Sequence, residues 1–493
     1  MLADFNLKEQ FKVWKRAGKP IPKEYFDLGI AYWLISPDEK EYTPEYISRT
    51  FLKKEWKNSE KEIKALQVFA EKKLKEYKLE KLFWDLEMPL VDILANIEST
   101  GIQLDKNYLR SYDKELEKKL GQLTKSIYKI AGETFNINSP KQLGMVLFQK
   151  LKIDEKGVKK TRAGSISTDI NTLETIRERH PIVKHVLEYR ELFKLQSTYV
   201  RPLQEAADPK NRVHTHYIQT GAATGRLSSQ DPNLQNIPIG TEWATKLRNA
   251  FVAEKGYQLA AFDYSQIELR VLASLSEDPK MVAAFKKGLD IHKLTAANVN
   301  NVPLEKVTPE MRRLAKTLNF GVVYGMGAFA FAKTSGLKVA EARKFIEEYF
   351  NDFQKIKIWQ EMVKAQARTY GYVTNANGRR RFMLAAVSRN SWEAAEAERA
   401  AINMPVQGLA ADIIKMAMIA IAKELKQCGW WQKEVRMLLT IHDELLFEIK
   451  ESIIKEAAPI IRRLMESAYR LKVPVRVSEK IGSDWGSLKE IHV

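Results

Sequence analysis

The chain has 493 residues, 45% of them hydrophobic, with a formal net charge of +18 and a pI of about 9.5. That length exceeds one core and excludes a single small domain, while the apolar content excludes a disordered chain. Its charge favours a polyanionic partner, and its single cysteine, Cys428, excludes a disulfide framework and a multi-cysteine zinc site and fits a reducing compartment. The opening MLADFNLKEQFKVWKR is charged throughout, unlike a secretory signal, and no apolar run approaches the ~18 residues of a membrane span. A soluble protein of the cytoplasm or an organelle matrix is expected, acting as a monomer without a membrane partner.

In chain order, residues 51–82 are Lys/Glu-rich with Ile63, Leu66, Phe69 and Leu74 at helical spacing, which predicts a solvated amphipathic helix. Residues 104–130 and 180–206 carry long helical patterns that can pair as an antiparallel arm, and FNINSPKQL (135–143) between them holds a Ser-Pro helix start. The pattern changes after Asp208. RVHTHYIQ (212–219) alternates like a strand, and YQLAAFD (257–263) is an apolar run ending in an acid. Helical periodicity returns over 266–425. RMLLTIHDELLFEIK (436–450) then reads as strand, turn, strand, and VPVRVSEKIGSDWGSL as one more strand and a tail. A sheet of widely separated strands with a helical block inserted between them is an α+β architecture.

Two features point to chemistry. In RRLAKTLNFGVVYG (312–325), Arg312, Lys316, Phe320 and Tyr324 recur every fourth residue. Each step of four turns a helix about 400°, so the four form a slanted stripe, half cationic and half aromatic. Such a stripe suits neither a core nor a solvated face. Separately, Asp263 ends one strand pattern and Asp443 sits at a later tight turn. Carboxylates at strand ends suit hard, oxygen-seeking cations such as Mg²⁺, although either aspartate alone reads more readily as a turn or cap residue.

DYSQIELR (263–270), RRLAKTLNFGVVYG and IHDELLFEI (441–449) follow one another in the order of the three polymerase motifs of family A DNA polymerases. TGRLSSQDPNLQNIP (224–238) and ERAAINMPVQG (398–408) resemble two further family blocks. The resemblance, to the large fragment of bacterial DNA polymerase I, runs from about residue 88 to residue 485. It implies a right hand: a thumb at 86–211, a palm at 212–267 and 393–493, and fingers at 268–392. It also implies primer–template DNA and deoxynucleoside triphosphates as partners, and two Mg²⁺ ions, replaceable by Mn²⁺, as cofactors. Asp263, Asp443 and the Tyr264 carbonyl match the metal ligands, and Glu444 a supporting acid. Arg312, Lys316 and His292 match triphosphate contacts, with Lys316 also placed to protonate the departing pyrophosphate. Phe320 and Gln266 match positions beside the incoming nucleotide, and Tyr324 one beside the templating base. Glu268 matches a steric gate against the ribose 2′-hydroxyl. Arg226, Asn233, Gln235, Asn236, Arg399, Asn403, Gln407 and His442 match residues that hold the primer–template.

The chain also departs from the pattern. Where the family reads close to VRTEEGRRIRRAF, this sequence has IGTEWATKLRNAF (239–251), with Gly240, Thr245 and Asn249 in place of Arg. Fewer phosphate contacts imply modest processivity. Residues 26–52 resemble the later part of a 3′–5′ exonuclease domain whose earlier, acid-bearing strand is missing, so 1–85 is expected to be an inactive remnant. Asp85-Leu86-Glu87 mimics the nuclease Asp-x-Glu signature but adjoins the helical arm, and reads as helical acids without nuclease function. Neither proofreading nor 5′-nuclease activity is expected. The competing readings are a single-subunit RNA polymerase-like enzyme, which shares the metal aspartates but not Glu268, and a catalytically dead DNA-binding relative.

Overall fold

The computed structural model describes residues 1–161, 164 and 166–490. Its centre is a five-stranded antiparallel sheet built from β1 (Tyr257–Tyr264), β2 (Val435–Ile441), β3 (Glu444–Lys450), β4 (Val477–Gly482) and β5 (Lys489–Glu490), in the order β2-β3-β1-β4-β5. β1 is almost continuously apolar because both of its faces are covered. Ala260, Phe262 and Tyr264 join a core of helices on one side, while Leu259 and Ala261 join a second core on the other. Asp263 continues the second face at the point where the apolar packing stops.

The helices that matter for the cleft are α1 (Lys106–Ala131), α2 (Pro181–Lys194), α3 (Ile267–Ser276), α4 (Ile291–Asn300), α5 (Pro309–Val323) and α6 (Ser391–Gln427). α1 and α2 form the expected antiparallel arm. Asp113 accepts from Gln196 at 2.7 Å and Lys119 pairs with Glu188 at 2.9 Å, so one chain descends as the other rises. The Ser139 hydroxyl accepts from the Gln142 N–H above Pro140, as the helix-start signal predicts.

Several expectations need correction. The helix predicted over 51–82 is regular only over Glu60–Glu76. The 212–219 strand splits into Arg212–Val213 and His216–Ile218, which belong to different two-stranded sheets. The helical block is interrupted by a hairpin, Tyr372–Thr374 with Arg380–Phe382. α6 does have the length and apolarity of a membrane span, but 72% of its most apolar window is buried, and it serves as a core helix crossing the molecule.

Residues 1–85 have an apolar cluster of their own, which extends to Met88, Val91 and Ala95 and receives Met416 and Ile419 from α6. Beside it lies a buried ion cluster. Glu87 accepts from Lys415 at 2.8 Å, from Gln219 at 2.5 Å and from Arg379, while Arg379 also bonds Asp412 at 2.7 Å. None of the four ionic side chains is more than 2% exposed. Glu87 is therefore a buried structural ion and not a solvent-facing helical acid, whereas Asp85 is exposed. Removing one member of such a set strands a buried opposite charge. Glu87→Ala should destabilise by about 3–5 kcal/mol in urea unfolding. The double variant Glu87→Gln/Lys415→Met, which leaves neither partner charged, should lose less.

Candidate active site

Strand register assembles the acidic end of the site. β2 and β3 are joined by the two-residue turn His442–Asp443, with Ile441 opposite Glu444, and Glu444 in turn lies opposite Asp263. His442 takes a left-handed backbone conformation (φ 55°) to close the turn. The Tyr264 N–H donates to the Asp443 carbonyl at 3.1 Å, which fixes the turn against the end of β1. The Tyr264 phenol points into the core and donates to the Met465 carbonyl at 2.8 Å.

Among the described residues no cation is paired with Asp263 or Asp443. Burial, then the charges of Asp443 and Glu444, push the Asp263 carboxyl up to about 7. Burial raises Asp443 as well. Glu444 is also raised by burial, but it is held by Trp485 and faced by Arg248, and it does not line the cleft. Neighbouring carboxylates with no ion-pair partner among the described residues form a donor set that fits a hard divalent cation. Glu9, Glu98 and His216 form another compact cluster, but Lys8 and Lys12 already engage Glu98, at 2.5 and 2.7 Å. That cluster is a satisfied ion network.

Across a cleft of about 470 Å³ stands α5. Thr308 caps its first turn by accepting from the Met311 N–H at 3.2 Å, with Pro309 at the first position. Ala315, Leu318 and Asn319 are buried behind it, and Arg312, Lys316, Phe320 and Tyr324 line the cleft in front. A Cβ on Gly321 would lie 2.9 Å from the Met326 sulfur. Gly325 turns the chain with φ 63° against the Arg399 side chain.

Several residues of this wall are oriented from behind. Asp290 caps α4 and accepts from Arg312 Nε at 2.7 Å. Asn319 Nδ2 donates to His292 Nδ1 at 3.0 Å, in an orientation secured by Thr295 donating to Asn319 Oδ1. Burial, reinforced by Arg312 and Lys316, takes His292 down to about 4, so the ring is neutral at pH 7 with its proton on Nε2. Glu268, on α3, accepts from Arg226 with one oxygen and from the Tyr324 hydroxyl with the other, the latter at 2.9 Å. Gln266 adopts φ 55° between β1 and α3 and also lines the cleft. Lys316 is exposed, and no ion pair to it is found among the described residues.

The remaining candidates lie partly elsewhere. Gln235 and His442 line the cleft, and Gln235 donates to the Thr440 carbonyl at 3.1 Å. Asn233 accepts from the Gln235 N–H at 3.0 Å, and the Asn236 carbonyl accepts from Tyr199 at 2.7 Å. Arg399, Asn403 and Gln407 do not line the cleft. They recur every fourth residue along α6 in a stripe leading to Ala411, which does. The Asn403 Oδ1 is buried without a partner among the described residues. Sequence reasoning missed Asp290 and Asn319. An Asp directly before a helical pattern was a legible cap, but its ion pair with Arg312 joins separate helices.

The family model for DNA polymerase family A matches residues 106–487. The chain belongs to that family. Among curated relatives, the thermostable DNA polymerase I of Thermus aquaticus is 43% identical over 481 residues, covering 96% of this chain and 57% of the relative. DNA polymerase I of Bacillus subtilis is 45% identical over 410 residues, covering 83% and 46%. The chain thus spans about half the length of the curated relatives it matches. The polymerase domain of Pol1 from M. smegmatis, solved with DNA primer-template and dNTP, superposes with a TM-score of 0.93 at 35% identity, covering 98% of this chain and 86% of that one. The family A fold is the α+β right hand, and the helices and antiparallel sheet described above build it.

The acidic pair has a consequence for stability. A carboxyl raised from 3.8 to about 7 binds its proton more tightly when folded. The folded state therefore loses stability as pH rises from 4 to 7 and keeps that deficit above 7. In EDTA at pH 8, Asp263→Asn should raise Tm by about 2 °C, a gain that shrinks as pH falls toward 4. Added Mg²⁺ should stabilise the parent protein more than the variant, as thermal melts with and without the ion would show.

Proposed function

We propose that the chain is a template-directed DNA polymerase that adds deoxynucleotides to a primer 3′-hydroxyl. The observation that carries this reading is the confrontation of the Asp263/Asp443 pair with the cationic and aromatic stripe of α5 across one cleft. Asp263, Asp443 and the Tyr264 carbonyl would hold two Mg²⁺ ions, with Mn²⁺ as a substitute. Bound there, divalent cations supply activation of the attacking hydroxyl and neutralisation of the leaving oxygen.

The chain's own residues bind and orient the nucleotide. Lys316, without a carboxylate of its own, offers an ammonium to the triphosphate and a proton to the departing pyrophosphate. Arg312 is aimed beforehand by Asp290, and neutral His292 presents its Nε2–H as a donor. Phe320 packs 5.7 Å from the His292 ring and gives the sugar and base an apolar surface; a Phe here disfavours dideoxynucleotides. Tyr324, 37% exposed, stands beside the templating position. Glu268, gripped from two sides, closes the space a ribose 2′-hydroxyl would need. Arg226, Asn233, Gln235, Asn236, Arg399, Asn403, Gln407 and His442 hold the primer–template through minor-groove acceptors, which differ little between correct pairs.

Within this reading the thumb is 86–211, the palm 212–267 and 393–493, and the fingers 268–392. We further infer that residues 1–85 carry no proofreading site, because the acid-bearing early strand of a nuclease domain is missing and the Asp-x-Glu that follows is unavailable, its Glu87 being committed to Arg379 and Lys415. The basic residues kept in 239–251 are likewise committed. Lys246 pairs with Glu115 at 2.8 Å, and the Arg248 guanidinium lies 4.2 Å from the Trp485 ring centre. Processivity is accordingly modest.

Three outcomes test these roles. Asp263→Ala should lower primer extension with Mg²⁺ at least about 10³-fold while primer–template binding survives. Lys316→Ala should lower kcat/KM for the nucleotide about 100-fold and change the DNA Kd less than about threefold; equal loss in both would make the stripe a DNA-binding face. Thr245→Arg, at an exposed helical position, should tighten primer–template binding at low salt and steepen its log–log salt dependence by about one.

A further inference from the structure

The buried ion cluster lies directly beneath the turn that carries Arg226. Arg379 donates to Asp412 through Nε at 3.0 Å and Nη2 at 2.7 Å, and to Glu87. Its hairpin is held by Asn375, which accepts from the Arg379 N–H at 3.0 Å and donates to Asp412 at 2.7 Å. A Cβ added to Gly225 would lie 2.6 Å from the Arg379 guanidinium carbon, and Gly225 has φ 86°. The guanidinium therefore fills the space a side chain at 225 would take, and the 222–225 turn, closed by Gly225 N–H to Ala222 carbonyl at 2.9 Å, rests on it. From the other side the Thr224 carbonyl sits 3.3 Å from where a Cβ on Gly408 of α6 would be. The next residue is Arg226, which grips Glu268, whose second oxygen takes the Tyr324 hydroxyl.

We infer that Arg379, locked between Glu87 and Asp412, is a positioning residue for sugar selection, setting the seat of the Gly225–Arg226 turn and through Arg226 the position of Glu268. The inference rests on the reading of Glu268 as the gate. Its physical basis is that a rigid, planar guanidinium in a close-packed interior transmits displacement, whereas Lys in its place keeps the charge and loses the fork. Buried ion sets are weak as sources of stability and better attested as devices that fix a geometry.

Single-nucleotide extension kinetics with matched deoxy- and ribonucleoside triphosphates test it, on Arg379→Lys, Glu268→Ala, their combination, and Arg212→Lys. The last disturbs another buried Arg–Glu pair, with Glu448, four residues along β3 from Glu444. The deoxy-over-ribo ratio of kcat/KM should fall about tenfold in Arg379→Lys and further in Glu268→Ala. The combination should match Glu268→Ala alone, because both act through one group. Arg212→Lys should lower Tm and leave the ratio unchanged. An unchanged ratio in Arg379→Lys beside a lowered one in Glu268→Ala overturns the inference alone. An unchanged ratio in both overturns the gate reading and the inference with it. A ratio lowered equally by Arg212→Lys reduces Arg379 to a general stabiliser and also overturns the inference. Should Arg379→Lys not fold, the near-isosteric Asp412→Asn, which weakens the same fork, is read by the same outcomes.

Discussion

Two carboxylates with no ion-pair partner among the described residues, held side by side at the ends of β1 and of the β2–β3 turn, are the constraint around which the rest of the molecule is arranged. Left to themselves they would separate or protonate: burial, and then the charges of Asp443 and Glu444, push Asp263 up to about 7. What prevents separation is the sheet. The pairing of Glu444 with Asp263 and the Tyr264 N–H on the Asp443 carbonyl leave the turn no freedom, and apolar cores on both faces of β1 hold the register. A slip of one residue would turn Asp263 to the opposite face. The stability of the sheet is thus what brings two carboxylates far apart in sequence into one donor set that fits a hard cation.

The opposite wall follows the complementary rule. Some basic residues of this protein, such as Lys246 and Arg379, are paired with carboxylates from distant elements, and an ion already paired has little left for a ligand. At the cleft the pairing is incomplete by design of the helix: Arg312 has Asp290 behind it, while Lys316, one turn on, has no carboxylate partner among the described residues. His292 is kept neutral by burial and its cationic neighbours, so it adds a donor without adding charge. The result is a graded surface, cationic at one end of α5 and aromatic at the other, which suits a ligand with phosphates at one end and a base at the other.

Much of this was legible before any coordinates. The mixed stripe of 312–324 needed only helical spacing, and the strand-turn-strand around His442–Asp443 needed only two apolar runs flanking a polar pair. What the sequence could not carry was long-range pairing. The hairpin at 372–382 hid inside a helical texture because its strands are three residues each. RVHTHYIQ looked like one strand because alternation reports exposure, not partners, and its two halves pair with different segments. Glu87 read as an ordinary helical acid because nothing local distinguishes a buried carboxylate from an exposed one. Its counter-charges, Arg379 and Lys415, come from elements about 300 residues away. Site residues whose role is set by their own backbone were visible; those set by a partner on another element were not.

That last class connects the N-terminal region to the cleft. The apolar cluster of residues 1–85 continues through Met88 and Val91 and closes over Met416 and Ile419 of α6, so this region and α6 share one packed boundary. Glu87 sits at that boundary, and the cations it neutralises face in two directions: Lys415 borders the cleft, and Arg379 supports the turn before Arg226. Four buried charges could be replaced by apolar side chains of similar volume at little thermodynamic loss. An apolar replacement would fill the space without fixing the direction of a guanidinium fork, and it is that direction which the Gly225 turn rests upon. The N-terminal region meets the same cluster directly, since the Trp33 ring centre lies 5.1 Å from the Arg379 guanidinium and 5.3 Å from the Lys415 ammonium.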